Sequence, residues 1–284
     1  MTASLSQTMT RMNRQQVFRR EPGQPCIYCG IRLGATTEHI IPEAFGGRLT
    51  LENASCADCA NETHAFEGHA GRLFLPLRRQ LNIRGKRRSG KARLLRKPEQ
   101  FTLRLDDIRR VKVPSDEFPS LLVHLSFPPP TILFGLPPND DPLAGSIHHI
   151  ELMPEFGERL NAVKRKYRAN KVEIIGMDAS AERMSYDDLG RTLAKIAYSY
   201  GVAIKGYRAF VPLVTHIILN KRPFNLNHFI GSAFGTPNPA IDMHEIDVGD
   251  FGWNAPEFVI VRLRLFANLQ SQTHYIVIGR QHQP

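Results

Sequence analysis

Cys26-Ile27-Tyr28-Cys29 and Cys56-Ala57-Asp58-Cys59 enclose the stretch Thr37-Glu38-His39-Ile40-Ile41-Pro42-Glu43-Ala44-Phe45-Gly46-Gly47-Arg48-Leu49-Thr50-Leu51-Glu52-Asn53. These two pairs hold all four cysteines of a 284-residue chain. Thiolates two residues apart on a tight turn reach one Zn²⁺ at about 2.3 Å, and four of them close a tetrahedral shell, which marks a structural metal. Gly30, directly after the first pair, permits the turn that brings backbone amides to the thiolates. Two disulfides are the alternative, disfavoured for a chain read as cytoplasmic because residues 1–20 hold no apolar export signal. A redox pair is another, disfavoured because no βαβ pattern adjoins either pair.

The pairs are separated by the 26 residues from Gly30 to Ser55, more than the roughly 15 to 20 of a plain zinc ribbon. Ile40 and Ile41 suggest the end of a short strand that Pro42 stops; Gly46-Gly47 turns the chain, and Arg48 to Leu51 return as a second strand. From Ala60 to Glu67 nothing breaks a helix, and beyond Gly68 it runs on towards Arg79 unless Pro76 kinks or stops it. Strand, loop, strand and helix around one zinc is the expected arrangement.

In this order and spacing, the flanking Cys-x-x-Cys pairs, Glu38-His39-Ile40-Ile41-Pro42, Gly46-Gly47 and Leu51-Glu52-Asn53 resemble the HNH endonucleases of the zinc-stapled ββα-metal type, over roughly residues 24–68. The resemblance implies phosphodiester hydrolysis, with His39 as general base, apt because an imidazole of pKa about 6.5 accepts a proton at neutral pH. It implies Glu38 as ligand of a catalytic cation, Mg²⁺ or another divalent ion suited to carboxylate oxygen. Asn53 matches the middle asparagine, expected to hold the loop and orient the histidine. One departure is Ala60, which stands where the family places a second metal ligand directly after the last cysteine. Asn61 and, one turn on and sharing the face of Ala60, His64 are the substitutes, with His64 preferred on the face argument. Because alanine binds no metal, a non-catalytic zinc-dependent nucleic-acid-binding protein with a degenerate site stays open as the alternative.

Charge points the same way. Of the net +10, residues 1–100 carry +9, from seventeen basic and eight acidic side chains. From Arg72 to Lys97 there are eleven basic residues and no acid; Arg84, Lys86, Arg87, Arg88, Lys91 and Arg93 are the candidate nucleic-acid contacts, against the alternative of a solvated linker. The expected partner is DNA, with RNA and a homodimer left open. No run of 18 or more apolar residues predicts a membrane span.

The fold class expected is α+β: a zinc-bound ββα-metal HNH module followed by an α+β C-terminal domain. The divisions drawn are a mobile polar arm at 1–23, the module at 24–70, a basic helix and linker at 71–100, and an accessory domain at 101–284. In the last, Ser120–Phe127 and Lys171–Met177 read as strands, and Glu155–Arg168 as a helix. Ser185 and Asp188 read as the cap of a helix with Leu189, Leu193, Ile196, Ala197 and Tyr200 on a core face. Phe258–Phe266 and His274–Gly279 read as a hairpin. The scattered His148, His149, His216, His228, His244 and His274 read as surface or partly buried structural histidines, and Trp253 as a buried loop anchor.

Overall fold

A computed structural model describes residues 15–74, 77, 78, 81, 83, 100–105, 108–114, 121–139, 147–152, 156–178, 186–221, 225–233 and 238–282. The basic residues Arg84 to Lys97, the helix cap at Ser185, and residues 1–14 lie outside it. Among the described residues no helix is long and apolar enough to cross a membrane.

The cysteine-flanked stretch folds as its punctuation dictates. Strand β2 (Thr36–His39) ends before the buried Ile40 and Ile41, a short 3-10 turn covers Glu43–Phe45, and β3 (Leu49–Ser55) returns antiparallel to β2, with Glu38 opposite Leu51 and His39 opposite Thr50. Gly46 stands at φ +83°, and a Cβ on Gly47 would lie 2.0 Å from the Ile41 carbonyl oxygen, so this turn requires both glycines. Helix α1 (Ala57–Leu73) follows, starting within the second cysteine pair, ahead of the expected Ala60, and continuing beyond Gly68. Its end at Leu73 falls ahead of Pro76.

The expected arm is a strand in part. β1 (Gln16–Arg19) adds to β3 in parallel, making a three-stranded sheet in the order β1-β3-β2. Arg20 fixes that edge: its guanidinium donates to the carbonyls of Asn53 (2.8 Å), Ala54 (3.1 Å) and Pro25 (2.8 Å). No hydrophobic alternation advertised this strand, because a four-residue edge strand is held by backbone and one arginine more than by its side chains.

Beyond residue 100, β4 (Gln100–Arg104), β5 (Arg110–Pro114), β6 (Leu121–Ser126), β7 (Ile147–Leu152), helix α2 (Phe156–Tyr167) and β8 (Glu173–Asp178) follow in order. β4 is the centre of a sheet ordered β5-β4-β8, and Leu103, Leu105, Val113, Val163 and Ala169 form its own small core. Next comes α3 (Tyr186–Lys205), then β9 (Phe210–Pro212), two single turns α4 (Thr215–Ile218) and α5 (Leu226–Phe229), and strands β10 (Ile230–Ser232), β11 (His244–Val248), β12 (Phe258–Leu265) and β13 (His274–Gln281). These strands make one antiparallel sheet, β10-β13-β12-β11, with β9 also on β13; the expected hairpin is β12 and β13. Trp253 lies edge-on to Tyr275 and Phe134.

The division at residue 101 separates what the packing joins. α3 lies between α1 on one side and strands β12 and β13 on the other. It is buried all round from Leu189 to Val202, a pattern a helix shows only inside a core. Phe45 and Phe74 of the module meet Phe266 of the last sheet at 6.1 and 5.3 Å between ring centroids. One apolar cluster therefore runs from Cys26 to Ile278, and the module is the N-terminal half of a larger core.

Candidate active site and metal centre

The first cysteine pair sits on a turn closed by the Gly30 N–H donating to the Cys26 carbonyl (2.9 Å), and the second at the start of α1, where the Ala60 N–H donates to the Cys56 carbonyl (2.9 Å). All four are free thiols, and their sulfurs lie within 4.8 Å of one another, with Cys29 and Cys56 3.9 Å apart. A tetrahedral shell at about 2.3 Å from a metal places sulfurs about 3.8 Å apart, so the set fits a structural metal such as zinc. Burial pushes the Cys26 and Cys59 thiols up. At Cys29 burial also works upward, but the N–H groups of Arg32 and Ile31 together with hydrogen bonds from Cys26 and Cys59 outweigh it and bring the thiol down to about 7, towards the thiolate a metal requires.

Successive strand residues face opposite sides of a sheet, and this separates Glu38 from His39. Glu38 points inward and is 5 % exposed; His39 points outward, with its side chain one third exposed. The His39 Nε2 stands 3.5 Å from Glu43 Oε1, one turn further along the chain. The inward Glu38 meets the buried Lys195 of α3: Nζ lies 2.5 Å from Glu38 Oε1 and 2.5 Å from Glu67 Oε1, and it donates to the carbonyl of His39. Ser55 donates its hydroxyl to the other Glu38 oxygen at 3.2 Å. Burial alone would lower the Lys195 pKa, but Glu38 and Glu67 more than offset it and hold the ammonium charged. Glu67 is raised by its own burial, against the pull of Lys195.

The other expected site residues are dispersed. Asn53 stands in the left-handed region at φ +53°, which asparagine tolerates, and its amide donates to the Arg20 carbonyl at 2.8 Å; it holds the β1 edge. Asn61 and His64 are both exposed on α1; His64 lies within electrostatic reach of Glu67, the α1 carboxylate that shares Lys195 with Glu38. Arg84, Lys86, Arg87, Arg88, Lys91 and Arg93 fall outside the described residues.

A divalent cation on Glu38 does not fit this arrangement. One carboxylate oxygen is taken by an ammonium, the other by a hydroxyl, and the group is closed off from the water that such ions retain. Sequence reasoning missed Lys195, Glu67 and Glu43. Glu43 was legible as a carboxylate four residues after His39. Lys195 carried no signal beyond its place among apolar neighbours of a helix.

Residues 26–75 match the HNH endonuclease family. No curated protein and no solved structure matches the chain.

Proposed function

We propose that the HNH-family module at residues 26–75 works as an endonuclease that hydrolyses phosphodiester bonds of DNA, with His39 as its general base. The observation that carries this is the placement of His39: a partly exposed imidazole at the end of β2, beside a carboxylate, on a module whose fold is fastened by four clustered cysteines. A carboxylate at Nε2 favours the tautomer with the proton on that nitrogen and the lone pair on Nδ1, the form that takes a proton from an attacking water. Glu43 then stabilises the imidazolium while the water oxygen attacks phosphorus, and the proton is available to the leaving oxygen. Cys26, Cys29, Cys56 and Cys59 would hold Zn²⁺, which when bound supplies fold stability to the module. The partner class is supported by the positive charge concentrated in residues 1–100.

A second reading, a nucleic-acid-binding protein without catalysis, is favoured by the engagement of Glu38 with Lys195. One assay separates the two. Supercoiled plasmid incubated with the full chain and Mg²⁺ or Mn²⁺ is nicked or linearised on the first reading. His39→Ala then loses about 10² to 10⁴ in rate, the usual contribution of a general base, while retaining DNA affinity. Plasmid left intact by wild type in every divalent ion, with DNA bound, selects the second.

A further inference from the structure

We propose that the ammonium of Lys195 is the resident cation of the Glu38 site, supplied in cis by the C-terminal half of the chain, and that Glu38 binds no divalent ion. This rests on the endonuclease reading of the module. An ammonium has three donors and no acceptor. Lys195 pairs with the carboxylate oxygens Glu38 Oε1 and Glu67 Oε1 and donates a hydrogen bond to the His39 carbonyl oxygen, so three oxygens surround its nitrogen. Two carboxylates from β2 and α1 and a carbonyl converging on one point are the donor set expected around a hard cation. Here that point is occupied by nitrogen, with its side chain wholly buried.

The placement also carries a reason for the occupant. A divalent ion would bring its charge to within ångströms of the ammonium and would need about six oxygens at 2.0 to 2.1 Å if it were Mg²⁺. While the ammonium holds that point, the Ser55 hydroxyl and the buried surroundings leave no room for the further oxygens. A lysine fits the same carboxylates with one charge and needs no hydration shell. Its carbonyl contact also fixes the backbone of His39 from behind, so the lysine sets the position of the imidazole on the opposite face of the strand. Lys195 is thus a positioning residue.

Mn²⁺ titration of the zinc-loaded full chain, followed by the paramagnetic resonance of the free ion, tests this directly. Wild type and Glu38→Gln are expected to bind Mn²⁺ alike. A loss of about tenfold or more in Glu38→Gln, the scale on which even outer partners of a metal act, overturns the proposal. Lys195→Met leaves two carboxylates facing an empty position and is expected to gain one Mn²⁺ per chain, a gain abolished in Lys195→Met/Glu38→Gln. A folded Lys195→Met that binds no additional Mn²⁺ overturns it as well. Should Lys195→Met fold only when Mn²⁺ is added, that rescue is the same gain; should it not fold at all, the comparison of wild type with Glu38→Gln decides alone. Failure of the endonuclease reading looks different: plasmid uncut by wild type leaves the Mn²⁺ result standing, whereas cleavage together with Glu38-dependent Mn²⁺ binding keeps the endonuclease and removes this proposal.

Discussion

His244 is buried between the two halves of the chain, its Nε2 donating to the Phe45 carbonyl at 2.9 Å and its Nδ1 accepting from the Phe266 N–H at 3.1 Å. Both ring nitrogens are used in the neutral form, and burial lowers the pKa to about 4. The folded value lies below the unfolded one of about 6.5, so stability is complete above 6.5 and falls as the pH drops towards 4, where only the unfolded state takes the proton. The full effect is on the order of 3 kcal/mol, at about 1.4 kcal/mol per pH unit. Urea denaturation at pH 7 and pH 4.5 is expected to show a smaller loss in His244→Gln than in wild type; equal losses would remove His244 from the acid response. Sequence reading takes this histidine as a surface or partly buried structural group, whereas it is fully buried; its partners lie 199 and 22 residues away and no local pattern announces them. His39 and Glu43, four residues apart, were within reach of a local reading, whereas the opposite facing of Glu38 and His39 follows only once β2 is known to be a strand there.

Among the elements, α3 decides most. Its apolar face of Leu189, Leu193, Ile196, Ala197 and Tyr200 was legible from spacing, yet Arg191, Lys195 and Tyr198 are buried as well. A lysine or arginine on a helix reads as solvated because burial of a charge requires a partner, and here the carboxylates Glu38, Glu62 and Glu67 come from more than 100 residues earlier in the chain. Arg191 Nη2 reaches Glu62 of α1 at 2.5 Å and the Ile218 carbonyl at 2.8 Å. The Tyr198 hydroxyl donates to the Ile27 carbonyl at 2.8 Å, inside the first cysteine turn. Tyr198→Phe leaves that carbonyl unpaired and is expected to cost about 1 to 3 kcal/mol in chemical denaturation. It should also speed zinc loss to a chelator, since the turn carrying Cys26 and Cys29 loses its brace; unchanged zinc release would confine Tyr198 to packing.

At the scale of the molecule, one core joins the cysteine-flanked module to the last sheet. Zinc removal is therefore expected to unfold α3 and strands β11 to β13 together with residues 24–70, in one transition, as read by hydrogen exchange after chelation. Protection persisting in β12 and β13 of the metal-free chain would mean that the two halves fold separately. The fold class and the module were readable because turn residues and cysteines act locally. The division at residue 101 was not, because a shared core leaves no mark in composition. The basic run Arg84 to Lys97 calls for a solution measurement: if about six of its residues contact phosphates, affinity for DNA falls by about 10³ between about 50 and 200 mM salt. Replacing Arg84, Lys86, Arg87, Arg88, Lys91 and Arg93 together should flatten that dependence, and an unaltered slope returns the run to a linker.

The contact between Lys195 and the His39 carbonyl spans 156 positions of the chain. During synthesis at about 5 to 20 residues per second, the first half of the site is made roughly 8 to 30 s before its ammonium. Through that interval Glu38 and Glu67 face water, and the apolar bed of α3 does not exist. The four cysteines, complete by position 59, are among the fastenings of the nascent module that are finished early, with the β1-β3-β2 sheet and the Arg20 contacts. A metal such as zinc on these cysteines would then act kinetically as well as thermodynamically, keeping the emerging strands paired until the helix that closes the site arrives.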